Sequence, residues 1–169
     1  MAQTTPHIVG KLQPEGYIRH VRVRQRNMSR LIAIANDHAG VELKNTLSTL
    51  LSGMGYVVDN LGADSAESVD YPDYAHKMAG WIKQHDGAMG VLICGSGIGI
   101  SIAANRYKHI RAALCTTGEA AKLSRQHNNA NVLCLGARLI SADTAKECLQ
   151  QFVATAFEGG RHQKRIDKL

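Results

Sequence analysis

"GVLICGSGIGISIAAN", residues 90–105, changes character twice. Val91, Leu92 and Ile93 continue an apolar run that begins at Ala88, then Cys94 opens a loop with glycines at 95, 97 and 99, separated by Ser96 and Ile98. From Ile100 the residues are small or apolar. The stretch reads as a buried strand, a glycine loop and a small-residue helix. Ile100 stands where G-x-G-x-x-G needs its third glycine, and no Lys-Ser/Thr pair follows, so neither a dinucleotide fingerprint nor a nucleotide P-loop is present. What remains is a run of backbone N–H groups at a helix start, which favours negative charge; a tight strand-to-helix turn would use the same glycines. Cys94 is the unusual member. A thiol at a helix's amino end ionises more readily than a free one, and a thiolate can take a carbon-bound proton while neighbouring amides hold the resulting oxyanion. The same periodicity also fits a buried apolar cysteine.

Working outward, strands and helices alternate. Leu31–Ala35 is an apolar strand, and Leu43, Leu47, Leu50, Leu51 and Met54 follow at helical spacing. Tyr56–Asn60 is the second strand. Gly62–Pro72 is a loop, with Asp73 predicted to cap a helix striped by Ala75, Met78, Ala79 and Ile82. Ala88–Ile93 is the third strand, and the helix after the glycine loop runs to about Tyr107. Arg111–Cys115 is the fourth strand, Thr116 and Glu119 have capping-box spacing for the next helix, and Asn131–Leu135 is the fifth strand. Ala145, Cys148, Leu149, Phe152, Val153 and Ala156 stripe the last long helix. Near-continuous apolar strands separated by amphipathic helices predict an α/β fold, a three-layer Rossmann-like αβα sandwich around a five-stranded parallel sheet. Such sheets bind ligands at the carboxyl ends of their strands.

The chain has single-domain length, with 44% hydrophobic and 20% charged residues. No apolar run approaches the roughly 20 residues of a membrane helix, and the amino terminus lacks the apolar core of a secretory signal. The net charge of +6 is uneven: residues 1–29 hold Lys11, Arg19, Arg22, Arg24 and Arg26 against Glu15 alone, and the rest is near neutral. A basic arm on a near-neutral body argues against a nucleic-acid partner. That arm shows no periodicity, and Met28 lies just before the first strand, so residues 1–29 are expected to be an extension preceding the folded domain of residues 30–169. Cys94, Cys115, Cys134 and Cys148 form no C-x-x-C pair, which fits free thiols in a reducing cytoplasm.

Further polar candidates punctuate the pattern. "NDHAG" brings Asp37 and His38 after the first strand, and "SRQHNNAN" brings His127 and Asn128 before the fifth; these are expected to join the glycine loop in one cluster. In "EGGRHQKR", Arg161 and Arg165 are four apart, which on a helix places both guanidiniums on one face, suited to a phosphate. A solvated basic tail has the same appearance. Asp37, His38 and His127 lack metal-ligand spacing, so no metal is expected.

Taken together, "NDHAG", "DYPDYA", "CGSGIGISIAAN", "LSRQHNNANVL", "LGAR" and "EGGRHQKR", in this order from Arg30 to Asp167, resemble the ribose-5-phosphate isomerase B family, which includes the galactose-6-phosphate isomerase subunits. The resemblance implies an aldose–ketose isomerase that interconverts ribose 5-phosphate and ribulose 5-phosphate through a cis-enediolate, without cofactor or metal. It implies Cys94 as the proton-transferring base and His127 as the ring-opening residue. It also implies that substrate is bound by Asp37, His38, Tyr71, Gly95, Ser96, Gly97, Ile98, Gly99, Asn128, Arg138, Arg161 and Arg165. Homodimers or homotetramers with active sites shared between subunits are implied as well. One branch of the family uses a glutamate base; Ile100 stands at that position here, leaving Cys94. The same chemistry on allose 6-phosphate, galactose 6-phosphate or a tetrose phosphate, and a non-catalytic sugar-phosphate-binding protein, are the competing readings.

Overall fold

The computed structural model describes residues 30–169, so the expectation for the basic arm lies outside the described residues. Five strands form one sheet: β1 (Leu31–Asn36), β2 (Val57–Asn60), β3 (Met89–Cys94), β4 (Ala112–Leu114) and β5 (Val132–Gly136). Their spatial order is β2-β1-β3-β5-β4, every neighbouring pair is parallel, and the predicted three-layer sandwich is the observed architecture. The helices are α1 (Val41–Gly53), α2 (Tyr71–Gln84), α3 (Ile98–Ala104), α4 (Gly118–Asn128), α5 (Ala142–Ala154) and α6 (Gln163–Ile166). No described helix is long and apolar enough to cross a membrane.

Strand alternation divides the core. Ala33, Ala35, Leu92, Cys94, Val132 and Cys134 face a cluster built with Met78, Ala79 and Ile100 of α2 and α3. Ile32, Ile34, Val91, Ile93, Leu133 and Leu135 face the opposite cluster with Leu47, Leu51, Leu149 and Phe152 of α1 and α5. Both faces are therefore apolar, which is why the strands read as continuous hydrophobic runs. Each fully buried Leu, Ile or Phe contributes roughly 1.5–3 kcal/mol. The chain passes from β1 to β2 on one side and from β3 to β4, beyond β5, on the other, so β1 and β3 border the topological switch point, where ligands bind in such sheets.

Several boundaries differ from expectation. Helix α2 begins at Tyr71 behind Asp70, and Asp73 lies inside its first turn. Pro72 belongs to that turn rather than to the loop, because the first helical N–H groups need no intrahelical acceptor. The cap of α4 is Thr117, whose hydroxyl accepts the Ala120 N–H at 3.1 Å, one residue beyond the expected Thr116. Helix α3 stops at Ala104, short of Tyr107: the Asn105 side chain binds both the N–H and the C=O of Ala112, drawing the chain into β4. Helix α5 ends at Ala154, leaving Ala156 beyond it.

Candidate active site

The carboxyl end of β3 supplies the first group of candidates. Cys94 is the last strand residue, and alternation turns it towards α2 and α3, where it is 4% exposed and packed in the apolar cluster. Its sulfur is nevertheless not enclosed by hydrocarbon alone, since the Gly97 N–H donates to Sγ at 3.1 Å. That bond depends on a left-handed turn. Gly97 has φ 76°, and a Cβ there would stand 2.9 Å from the Leu135 carbonyl carbon, so only glycine fits. The Ile98 N–H donates to Ser96 Oγ at 3.3 Å, while among the described residues the amides of Ser96 and Gly99 have no hydrogen-bond acceptor.

Neighbouring elements deliver more side chains to this edge. The Asp37 N–H donates to the Ile93 carbonyl at 3.1 Å, extending the β1–β3 pairing to the foot of the loop. The Asp37 carboxylate is buried and accepts the Ala39 N–H at 2.9 Å, capping the short turn His38–Gly40. His38 Nδ1 lies within hydrogen-bond distance of both the N–H and the carbonyl of Val69, at 3.2 and 3.3 Å. Tyr71 lies against the loop so closely that a Cβ on Gly99 would be 2.5 Å from its ring. Arg138 follows β5; its N–H donates to the Gly95 carbonyl at 3.0 Å, and its guanidinium folds back over Gly95. Asp37, His38, Tyr71, Gly95, Ser96, Gly97, Ile98, Gly99 and Arg138 thus share one end of the sheet with Cys94. Exposed apolar side chains, Ile98, Ile102 and Leu114, flank them.

His127 and Asn128 lie elsewhere in the chain, which corrects the expectation of a single cluster. They end α4, a helix that runs antiparallel to the strands and so finishes where the strands begin. Asn131, three residues after Asn128, accepts the N–H of Gly90 near the start of β3. Four residue steps along the strand, roughly 13 Å at about 3.3 Å each, separate Gly90 from Cys94. The set Asp37, His38 and His127 is divided in the same way.

The second group has its own construction. The His127 ring stacks on His162, with centroids 4.3 Å apart and planes within 6° of parallel. Glu158 Oε2 lies 3.6 Å from His162 Nε2 and 4.0 Å from His127 Nε2, and the Glu158 N–H donates to the Gln126 carbonyl, tying this segment to the end of α4. Arg161 Nε donates to His162 Nε2 at 3.3 Å. Burial holds the His162 imidazole below its ordinary pKa, reinforced by the proximity of His127 and Arg161 and opposed by Glu158. Arg165 sits in α6, but Arg161 lies in the turn before it, so the two do not share a helix face as expected; the helix starts only after the Gly159–Gly160 turn. Glu158 and His162 were not singled out from sequence, although both lie in the "EGGRHQKR" segment read for its arginines.

His127, Glu158 and His162 bring potential ligand atoms within 4.8 Å of one another. Parallel rings, however, aim their lone pairs side by side rather than at one point, and Arg161 already occupies His162 Nε2. The trio suits proton exchange better than tetrahedral coordination. The remaining thiols are unsuited to proton transfer: burial pushes Cys115 and Cys148 up to about 11 and raises Cys134 as well. A groove of about 550 Å³ lined by Arg106, Tyr107, Arg111, Asn128, Ile166 and Leu169 borders the second group and contains no part of the Cys94 loop.

Comparison with known proteins gives a consistent result. The sequence model described as Ribose/Galactose Isomerase matches residues 32–169. Ribose-5-phosphate isomerase B of Escherichia coli is 41% identical over 138 residues, covering 82% of this chain and 93% of that protein. The solved structure of a ribose 5-phosphate isomerase from Thermotoga maritima shares 51% identity with a TM-score of 0.79, covering 82% of this chain and 95% of that one. Ribose-5-phosphate isomerase B of Mycoplasma genitalium, solved with bound ribulose-5-phosphate, shares 43% identity with a TM-score of 0.79, covering 82% and 92%. The glycine loop, the parallel sheet that carries it and a likeness spanning the described domain converge: this chain belongs to the ribose/galactose isomerase family of sugar-phosphate isomerases.

Proposed function

We propose that the protein interconverts ribose 5-phosphate and ribulose 5-phosphate, with Cys94 as the base. The carrying observation is the Gly97 N–H directed onto Cys94 Sγ, which sets the sulfur at the entrance of a loop with unpartnered amides. Likeness to a relative solved with ribulose-5-phosphate supports the choice of sugar.

In this reading His127 assists opening of the furanose, with Asp37 on the other side of the ring. Cys94 removes the proton from C2 of the open aldose, and the electron pair moves through a C1–C2 double bond to O1. Loop amides hold the charge of the enediolate. The proton returns to C1 and the O2 hydroxyl proton transfers to O1, so the ketose forms with atoms balanced. His38, Tyr71, Asn128, Arg138, Arg161 and Arg165 hold the sugar and its phosphate, converting remote binding into alignment of the reacting carbons.

Because Cys94 and His127 lie at opposite ends of the sheet within one protomer, the complete site draws on two copies. Cys94 of one protomer works with His127 of the partner subunit. The exposed Ile98 and Ile102, four apart on α3 beside the Cys94 loop, supply an apolar surface for that contact, and the groove bordering Asn128 supplies a concave one.

The direct test is incubation with ribose 5-phosphate in deuterated water, followed by the same assay on allose 6-phosphate and erythrose 4-phosphate. Ribulose 5-phosphate carrying deuterium at C1, formed with the highest kcat/KM of the panel, is the expected result. Binding without exchange would leave only a sugar-phosphate receptor, and preference for a six- or four-carbon sugar would replace the substrate.

A further inference from the structure

We propose that Glu158 and His162 are positioning residues for His127, a carboxylate and a flat ring that fix the imidazole's plane and balance its charge during ring opening. The inference rests on the ring-opening role of His127 proposed above and assigns work to two residues that role does not include.

The demand comes from the chemistry. Opening the furanose breaks the bond between C1 and O4; the proton on O1 leaves and O4 gains one. A single imidazole that accepts the first proton and delivers the second ends as it began, and carries a positive charge in between. It must keep its orientation throughout, because proton transfer requires hydrogen-bond distance at both oxygens.

The local arrangement meets each need. His127 lies in the last turn of its helix, just before the left-handed cap Asn129 with φ 44°. His162 supports its imidazole: the His162 ring is 4% exposed, anchored by Arg161 Nε at 3.3 Å and parallel to His127 within 6°. Because Nε2 of His162 accepts that bond, its proton resides on Nδ1 and the ring is neutral, in line with its lowered pKa. A neutral ring can lie face to face with an imidazolium without repulsion, whereas a second charged imidazole could not. Glu158 Oε2, placed between the two Nε2 atoms at 4.0 and 3.6 Å, supplies the opposite charge that the transient imidazolium needs. Arg161 and Arg165 are the other fixed charges acting on His162, and both are cationic. Glu158 is the anion among them, and it lies near both rings.

The test compares a substrate that must be opened with one that is already open. Ribulose 5-phosphate cannot close a furanose, since its O5 is esterified, so deuterium exchange at its C1 reports Cys94 chemistry without ring opening. Glu158→Gln and His162→Ala are expected to lower kcat on ribose 5-phosphate roughly tenfold or more, with exchange at C1 of saturating ribulose 5-phosphate within about twofold of the unsubstituted protein. His162→Phe keeps a flat face and should restore kcat on ribose 5-phosphate, while KM for both sugars rises because Arg161 loses its acceptor. Equal losses on both substrates, or His162→Phe no better than His162→Ala, would overturn the proposal. His127→Asn, run in parallel, separates the two ideas: if it too affects both substrates equally, it is the ring-opening role itself that fails.

Discussion

The two halves of the candidate site are built by opposite means. Around Cys94 the backbone does the work: the Gly97 turn, loop amides, and ladder bonds from β1 and β5 that extend into the loop. Around His127 the work falls to side chains, a ring on a ring with a carboxylate and a guanidinium at their edges, and the participants are more open, His127 at 36% and Glu158 at 48% side-chain exposure. A backbone site is set once the sheet folds and tolerates little added volume. A side-chain site near a helix end is adjustable and reaches its working geometry only against whatever covers it. One half is preorganised by the fold; in the two-copy site proposed above, the other reaches its geometry on assembly.

The sharpest way to break this contrast is to remove the one reactive group of the rigid half. Cys94→Ala should lower kcat by about a thousandfold or more while ribose 5-phosphate still binds, measured by turnover and by titration calorimetry. Near-normal turnover would return Cys94 to the core, where its burial would then be its whole role.

A second experiment joins the halves across chains. Cys94→Ala and His127→Asn proteins, each nearly inactive, are mixed and unfolded and refolded together. If one site uses both copies, half of the dimers pair unlike chains and each regains one intact site of two, giving about a quarter of full activity. No recovery would place both residues' chemistry within a single chain and contradict the division described here.

A smaller effect concerns what supports the rigid half. Buried Lys44 donates to the Ala63 carbonyl and pairs with Asp64, fixing the segment after β2 that leads to Val69, the partner of His38 Nδ1. The hydrogen bond from Lys44, then that from Asn60, holds the Asp64 carboxyl below its ordinary value of 3.8. A carboxyl with a depressed folded pKa contributes stability that is present above the unfolded value and is lost as pH falls through the folded one. Melting temperature should therefore decline more steeply below about pH 4 in the unsubstituted protein than in Asp64→Asn, which starts lower at pH 7. Parallel curves would show that the pair contributes nothing.

The same contrast marks what could be read from the sequence. The sheet and the Cys94 half were legible because apolar runs, glycine spacing and the strand-end rule are local signals that survive translation into structure. The caps of α2 and α4 slipped because Pro72 suits a first helical turn and Thr117 competes with its neighbour Thr116. The placement of His127 was misread although a physical rule bears on it: in an α/β unit the end of a helix lies opposite the end of a strand. The stacked pair went unseen because His127 and His162 are 35 positions apart and no periodicity joins them. Side-chain assemblies between distant segments have no signature within one chain's pattern.

The antiparallel run of α4 against the sheet has a consequence for inheritance. With the thiol and the imidazole at opposite poles of the protomer, damage to one pole leaves the other intact. If the site is shared between two copies as proposed above, then after a gene duplication one copy can lose its loop and the other its histidine while the mixed pair retains one working site. A fold organised in this way makes division of labour between descendants a short step, open to selection before any new contact has to evolve.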